Sequence, residues 1–361
     1  MAVEPVRVWN PPNPYLTEHR QLIGEPPPVE LEIFEDQSQE ILSHNDSPDI
    51  GFRWSVNPYR GCFSACSYCY ARPTHEYFGL GAGTDFERKI FVKKNAPRLL
   101  EQAFGRRSWK GERVVFSGVT DCYQPLEAAW KITRGCLNVC LKYRNPAAII
   151  TKHALVRRDV EILQGLAREA SVGVSISIPF LDEEIARKVE PGAPAIAKRF
   201  ETMEILAKAG VPVGIGVAPI IPGLNDRDIP GLLKRAKESG ARFAFHTLLR
   251  LPGSVREVFL HRIRQDLPLK AHRIEERVKD SRGGKWYDSR FGHRHSGQGN
   301  YWEAVDRAWG IWTERLGFNG RGDEEEPDRP STFRRPPAPA GGPPGGPGDP
   351  SGQMEFDRML P

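Results

Sequence analysis

An α/β chain built on a parallel sheet is the expectation, on three grounds. Six apolar, β-branched runs recur through the middle of the chain, each is short and bounded by Gly, Pro or charge, and amphipathic helical stretches separate them. Strands that are apolar nearly throughout are buried on both faces, as in a parallel sheet covered by helices. A doubly wound sheet and a barrel, whole or incomplete, both fit this pattern.

The runs are RWSVNPYRG (53–61), RVVFSGV (113–119), PAAIITK (146–152), SVGVSISIP (171–179), VPVGIGVAP (211–219) and ARFAFHTLL (241–249). Helical stretches at 155–170 and 195–210 lie among them. In the second, Ile196, Phe200, Met203, Ile205, Leu206 and Ala209 follow a helical stripe, and Gly210 stops it.

A chain of 361 residues with 39% hydrophobic residues can fill the core of one barrel with extensions. Its 51 Lys and Arg against 46 Asp and Glu leave a net charge of +5, which permits an anionic partner without demanding one. No apolar run is long enough to span a bilayer, and no signal-peptide core opens the chain. The expected compartment is therefore the cytoplasm. Thiols stay reduced there, so a tight cysteine cluster reads as metal binding or catalysis before it reads as disulfides.

Four regions are expected: an N-terminal extension over 1–50, a barrel over 51–265, a C-terminal extension capping it over 266–318, and a Pro/Gly-rich tail over 319–361. The first is Pro-rich and then acidic, with no core of its own. The tail can bury almost nothing and is expected to be disordered, its FRRPPAP piece alone having a docking character.

In parallel α/β folds, function gathers at the C-terminal ends of the strands. The first run leads into Cys62, Cys66 and Cys69. The second leads into Ser117, Thr120, Asp121 and Glu127, the third into Lys152, and the fourth ends in Ser175 and Ser177. His246 and Arg250 close the sixth. Polar residues at the same end of every strand ring one mouth.

Cys62, Cys66 and Cys69 stand in C-x3-C-x2-C spacing with no fourth cysteine nearby. Structural zinc takes four ligands, usually as two separated pairs, though His75 or one of Cys122, Cys136 and Cys140 could complete such a set. A redox C-x-x-C pair leaves Cys62 without a role. An iron–sulfur cubane held by three thiolates leaves one iron open for a substrate or cofactor.

This spacing, with Tyr68 before the last cysteine, resembles the signature of the radical S-adenosylmethionine (SAM) superfamily. The stretches SGVTDCYQPLE, ITKHALVRRDVEIL, VEPGAP and VAPIIPGLND are similar to its spore photoproduct lyase-like branch, over about residues 50–318. The resemblance implies a partial (β/α)6 TIM-like barrel. It makes Cys62, Cys66 and Cys69 ligands of a 4Fe-4S cluster whose open iron chelates SAM. An electron, from a donor such as flavodoxin or ferredoxin, would cleave SAM to a 5′-deoxyadenosyl radical that takes hydrogen from a substrate, with a DNA or nucleotide lesion as one candidate. It puts Thr120 and Lys152 at the SAM carboxylate, Ser175 near the amino group or ribose, and Tyr68 beside the cluster or adenine, with Ser177 also in the cofactor-binding set. Asp121 joins this cofactor set, with helix capping as its ordinary alternative. Where the lyase carries its hydrogen-donating cysteine, this chain has Gly118, which leaves Cys122 as the candidate donor, or else a small buried residue.

Cys136 and Cys140, four apart on a helix, read as core. The segment 280–302 mixes Arg, Lys and His with aromatic residues, which suits a nucleic-acid partner and equally a loop packed over a barrel mouth. Two other classes compete with the enzyme: an electron-transfer protein that only houses a cluster, and a zinc-stabilised nucleic-acid-binding module.

Overall fold

The computed structural model describes residues 6–17, 28–318 and 331–337. Each of the six apolar runs contains a strand: β1 (Trp54–Val56), β2 (Val114–Phe116), β3 (Ala147–Thr151), β4 (Val172–Ser177), β5 (Val213–Ile220) and β6 (Phe243–Leu248). Neighbouring strands pair in parallel and in chain order from β1 to β6. A doubly wound sheet reverses its order midway, whereas a barrel does not. The order thus identifies the expected partial barrel. Among the described residues no ladder joins β6 to β1; Leu42–His44 pairs antiparallel with β1 at that edge, so the barrel is open.

The main helices are α1 (Ala96–Gly105), α2 (Ile132–Lys142), α3 (Val160–Glu169), α4 (Ile196–Lys208), α5 (Ile229–Glu238), α6 (Ser254–Asp266), α7 (Pro268–Asp280) and α8 (Gly299–Arg315). Each of the first five buries one apolar stripe. In α4 that stripe is Ile196, Phe200, Met203 and Leu206, while Ile205 falls off it and is 37% exposed. Cys136 and Cys140 are fully buried on one face of α2, as core residues.

The N-terminal region is more integrated than its composition suggests. Glu32–Glu35 forms a parallel strand beside Lys89–Val92, which also pairs with Tyr59–Arg60. Trp9 stacks on His261 of α6 with ring centres 4.1 Å apart, and its carbonyl accepts the Thr84 hydroxyl. The tail also departs from expectation: residues 331–337 pack against the barrel through Phe333. The rest of the tail lies outside the described residues.

Candidate functional site

The cysteines lie on an irregular loop that follows β1. Such a loop must find partners for its backbone polar groups, and Arg72 supplies many of them. Its guanidinium is fully buried. It donates to the carbonyls of Ala65 (3.1 Å), Cys66 (2.8 and 3.0 Å), Ala82 (2.9 Å) and Gly83 (3.0 Å), and pairs with Glu87 at 2.6 Å. Only a planar guanidinium fork carries that many fixed donors. Arg262 of α6 braces Glu87 from behind at 3.1 Å.

The other side of the loop is held by the turn after the helix Glu183–Val189. The Ser67 amide donates to the Val189 carbonyl at 2.9 Å, and the Gly192 amide to the Ser64 carbonyl at 3.1 Å. A Cβ on Gly192 would lie 1.9 Å from the Phe63 carbonyl oxygen, so this close approach requires glycine. Gln124, from the loop after β2, accepts the Phe63 amide at 3.1 Å. The motif stretches around 61–72, 124 and 189–192 are thus one interlocked unit.

Within it, all three thiols are free; Cys62 and Cys66 are buried and Cys69 is half-buried. Burial pushes the Cys62 thiol up to about 11, with Asp121 and Cys69 adding to the effect. Burial also raises Cys66 and Cys69, and the three thiols are near enough for Cys69 and Cys62 to raise Cys66 further. Among the described residues, no three His, Cys, Asp or Glu side chains are grouped to hold a single metal ion. His75, weighed as a fourth zinc ligand, sets its Nε2 2.8 Å from the Lys89 carbonyl oxygen.

Next to Cys66 lies a buried charge network. Glu190 is buried and takes Arg199 at 2.7 Å, the Tyr68 hydroxyl, and Lys152 at 3.7 Å. Burial works against the Glu190 carboxylate, yet Arg199 and Lys152 hold it below its usual range. Burial likewise works against the Lys152 ammonium, and Glu190 with Cys66 more than offsets this, so Lys152 stays charged. The Lys152 ammonium stands 5.8 Å from the centre of the Tyr68 ring.

The sequence-expected residues divide on geometry. Tyr68, Lys152 and the three cysteines come together. Asp121 is a strut: one oxygen accepts the Thr151 hydroxyl at 2.6 Å and the other accepts the Lys152 amide at 2.8 Å. Thr120 is buried and donates its hydroxyl to the Tyr59 carbonyl at 3.0 Å. Ser175 and Ser177 are buried on β4, opposite Gly214 and Gly216 of β5. Cys122 is fully buried in the main core, its thiol raised by burial and its carbonyl accepting Thr133 at 2.6 Å. Glu127 is buried as well, bonded to Tyr59, Arg158 and the Thr133 amide. His246 turns to Asp306 of α8 at 3.1 Å.

Three residues that hold the site, Arg72, Glu190 and Arg199, were not evident as such. Arg72 and Glu190 sit inside recognisable motif stretches, but their partners are distant in sequence. At the mouth, Tyr70 donates to the Gly118 carbonyl, and Arg250 lies 5.4 Å from the Tyr70 ring and 6.0 Å from the Tyr287 ring.

An ordered run of parallel strands with a braced thiol triplet at the C-terminal end of its first strand defines a barrel-type α/β protein. The family described as the radical SAM superfamily matches residues 56–236, half of the chain, and the chain belongs to it. Members of that superfamily use a 4Fe-4S cluster and SAM. An uncharacterized protein of Mycobacterium tuberculosis (strain ATCC 25618 / H37Rv) is 36% identical over 213 residues, covering 58% of this chain and 63% of that protein. One from Methanocaldococcus jannaschii is 30% identical over 196 residues, covering 54% and 70% respectively. The chain thus spans 63% of the length of its mycobacterial relatives. Among solved structures, a spore photoproduct lyase double mutant with bound AdoMet and dinucleoside spore photoproduct superposes with a TM-score of 0.60, at 15% identity, over 80% of this chain and 81% of that one. That likeness is one of fold. No helix among the described residues is long and apolar enough to cross a membrane.

Proposed function

We propose that the protein is a radical SAM enzyme in which Cys62, Cys66 and Cys69 hold the cluster. The observation that carries this reading is three free thiols in C-x3-C-x2-C spacing on one loop fixed from both sides. Soft thiolate donors suit an iron–sulfur cluster. When bound, the cluster supplies the electron for reductive cleavage of SAM.

The chain's own residues do the rest. Lys152, kept charged and anchored at Glu190, is the cation for the SAM carboxylate. Asp121 fixes the Lys152 main chain, and the buried Tyr68 ring stands beside Cys66 and Lys152. Arg199 and Glu190 hold these groups in register and exclude water. The barrel lies over 51–265, and 266–318 caps its mouth, where Tyr70, Arg250 and Tyr287 face the substrate. A one-electron donor such as flavodoxin or ferredoxin is the implied redox partner.

For the substrate, a nucleotide-type lesion is the first candidate, on the fold shared with the lyase. The basic-aromatic segment lends little to that choice. Arg282 donates to the carbonyls of Leu249, His293, Arg294 and Ser296, Arg290 pairs with Asp288 at 2.6 Å, and Arg294 pairs with Asp49 at 2.7 Å. Guanidinium groups so engaged are not free for phosphates.

The test is anaerobic. The protein is reconstituted with iron and sulfide, reduced with dithionite and given SAM, beside a Cys66→Ala control. Release of 5′-deoxyadenosine that the control lacks is the expected result. A full cluster that neither cleaves SAM nor responds to it spectroscopically overturns the reading in favour of electron transfer.

A further inference from the structure

Residues 331–337 occupy a groove at the N-terminal ends of the barrel strands, on the face opposite the cysteines. Phe333 enters it, with its ring 6.2 Å from that of Phe104 and 6.0 Å from that of Tyr143. Gly111 forms the floor: a Cβ there would lie 2.3 Å from the Phe333 Cβ. The polar contacts fall on the turns that follow the two helices. α1 ends at Gly105 and α2 at Lys142, and the contacted carbonyls are those of the two capping residues, Arg106 and Tyr143, and of Trp109 and Arg144 just beyond them. The Arg335 guanidinium donates to the carbonyls of Arg106 at 2.8 Å and Trp109 at 2.9 Å. The Arg334 amide donates to the Tyr143 carbonyl at 2.8 Å, and the Thr332 hydroxyl to the Arg144 carbonyl at 2.9 Å. A basic segment thus lies where two helix C-termini carry partial negative charge.

We propose that this groove is a docking site for a short peptide with an aromatic residue two positions before an arginine, and that the chain's own Thr-Phe-Arg-Arg segment (332–335) is its exchangeable occupant. An aromatic slot with a glycine floor, flanked by carbonyls at two helix C-termini, selects the Phe333 ring and the Arg335 guanidinium, while the Arg334 side chain bonds to the Phe333 carbonyl of the segment itself. Exchange follows from the balance of terms. One half-buried Phe and a few hydrogen bonds must offset the ordering of seven residues, which leaves the bound and released states close in free energy. The tether favours the bound state, since only residues 319–330 separate the segment from Phe318, and a short tether raises the effective concentration. The docked peptide spans the turns that feed β2 and β3, the strands leading to Asp121 and Lys152.

Two measurements on the full-length protein test this. A fluorescent peptide of residues 329–339 is titrated into wild type and into Phe333→Ala, each checked for native circular dichroism. Binding to Phe333→Ala that is at least about tenfold tighter than to wild type is expected, because the wild-type groove is filled by the tethered segment. Adding Gly111→Ala should abolish that binding. Failure of the peptide to bind a natively folded Phe333→Ala chain overturns the proposal. Independently, the Arg334 amide should exchange with deuterium at least about tenfold more slowly in wild type than in Phe333→Ala. Equal exchange in the two proteins overturns it as well.

Discussion

The Arg72 guanidinium closes on the main-chain carbonyl of Cys66 with two hydrogen bonds, of 2.8 and 3.0 Å. One buried side chain therefore sets the path of the loop on which the central cysteine stands. Arg72→Lys keeps the charge and loses the fork, stranding the carbonyls of Ala82 and Gly83 or that of Ala65. Each stranded buried carbonyl costs about 1–3 kcal/mol, so a total of several kcal/mol is expected. The melting temperature and the iron content after anaerobic reconstitution should fall together in Arg72→Lys. In Cys66→Ser, iron should fall while the melting temperature of the metal-free chain changes little. Full iron loading in Arg72→Lys would sink the assignment.

Glu190 and Arg199 are a second coupled pair, buried and 2.7 Å apart. Removing a charge's partner in a buried pair costs about 3–5 kcal/mol. Glu190→Gln should destabilise by that order, and Arg199→Met by less, because Lys152 and the Tyr68 hydroxyl still face the Glu190 carboxylate. The double variant should lose less than the sum, with a coupling of about 1–3 kcal/mol. Urea unfolding of the four proteins measures it, and strict additivity would show that the pair does not act as a unit.

The glycines of β5 serve their neighbour strand. A Cβ on Gly216 would meet the Phe245 ring first, at 2.8 Å, whereas on Gly214 it would also strike backbone, 2.6 Å from the Phe243 carbonyl oxygen. Gly216→Ala should cost about 1–3 kcal/mol by overpacking. Phe245→Leu in the same chain should recover most of that loss. If SAM binding recovers along with stability, the glycine makes room for a ring; if only stability recovers, the glycine also serves the cofactor.

The parallel strands and the cysteine loop were legible because their signals are local. An apolar run bounded by Gly and Pro states its own strand, and three thiols within eight residues state their own chemistry. What escaped were residues whose roles lie in distant partners. Glu190 meets Tyr68 and Lys152 across the barrel, and nothing in VEPGAP announces either. The resemblance puts Thr120 and Asp121 in the cofactor set, and in the fold both also bond to the chain, a second role that sequence does not distinguish from the first. The strand at Glu32–Glu35 was hidden because all four of its side chains, Ile33 and Phe34 included, are exposed, and its order comes from backbone pairing with Lys89–Val92. The segment at 331–337 was hidden by its surroundings, where one Phe is the only large apolar group.

Cys136 and Cys140 give the metal-free fold a pH dependence of known sign. Both are fully buried, and burial raises both thiols above their ordinary value of 9.0. A group whose pKa is raised on folding gives stability that is whole below the unfolded value and is lost as pH rises toward the folded one. Above about pH 9 the unfolded chain sheds protons that the folded chain retains, so stability must fall. Two such protons contribute about 2.7 kcal/mol per pH unit to the slope. The Cys136→Ala/Cys140→Ala chain should be less stable at pH 8, because two core side chains are shortened. Its curve should then fall more gently between pH 9 and 10.5, by about that slope difference. Urea unfolding in the presence of reductant at a series of pH values measures both curves. Parallel curves would mean that the two thiols ionise in the folded protein as easily as in the unfolded chain.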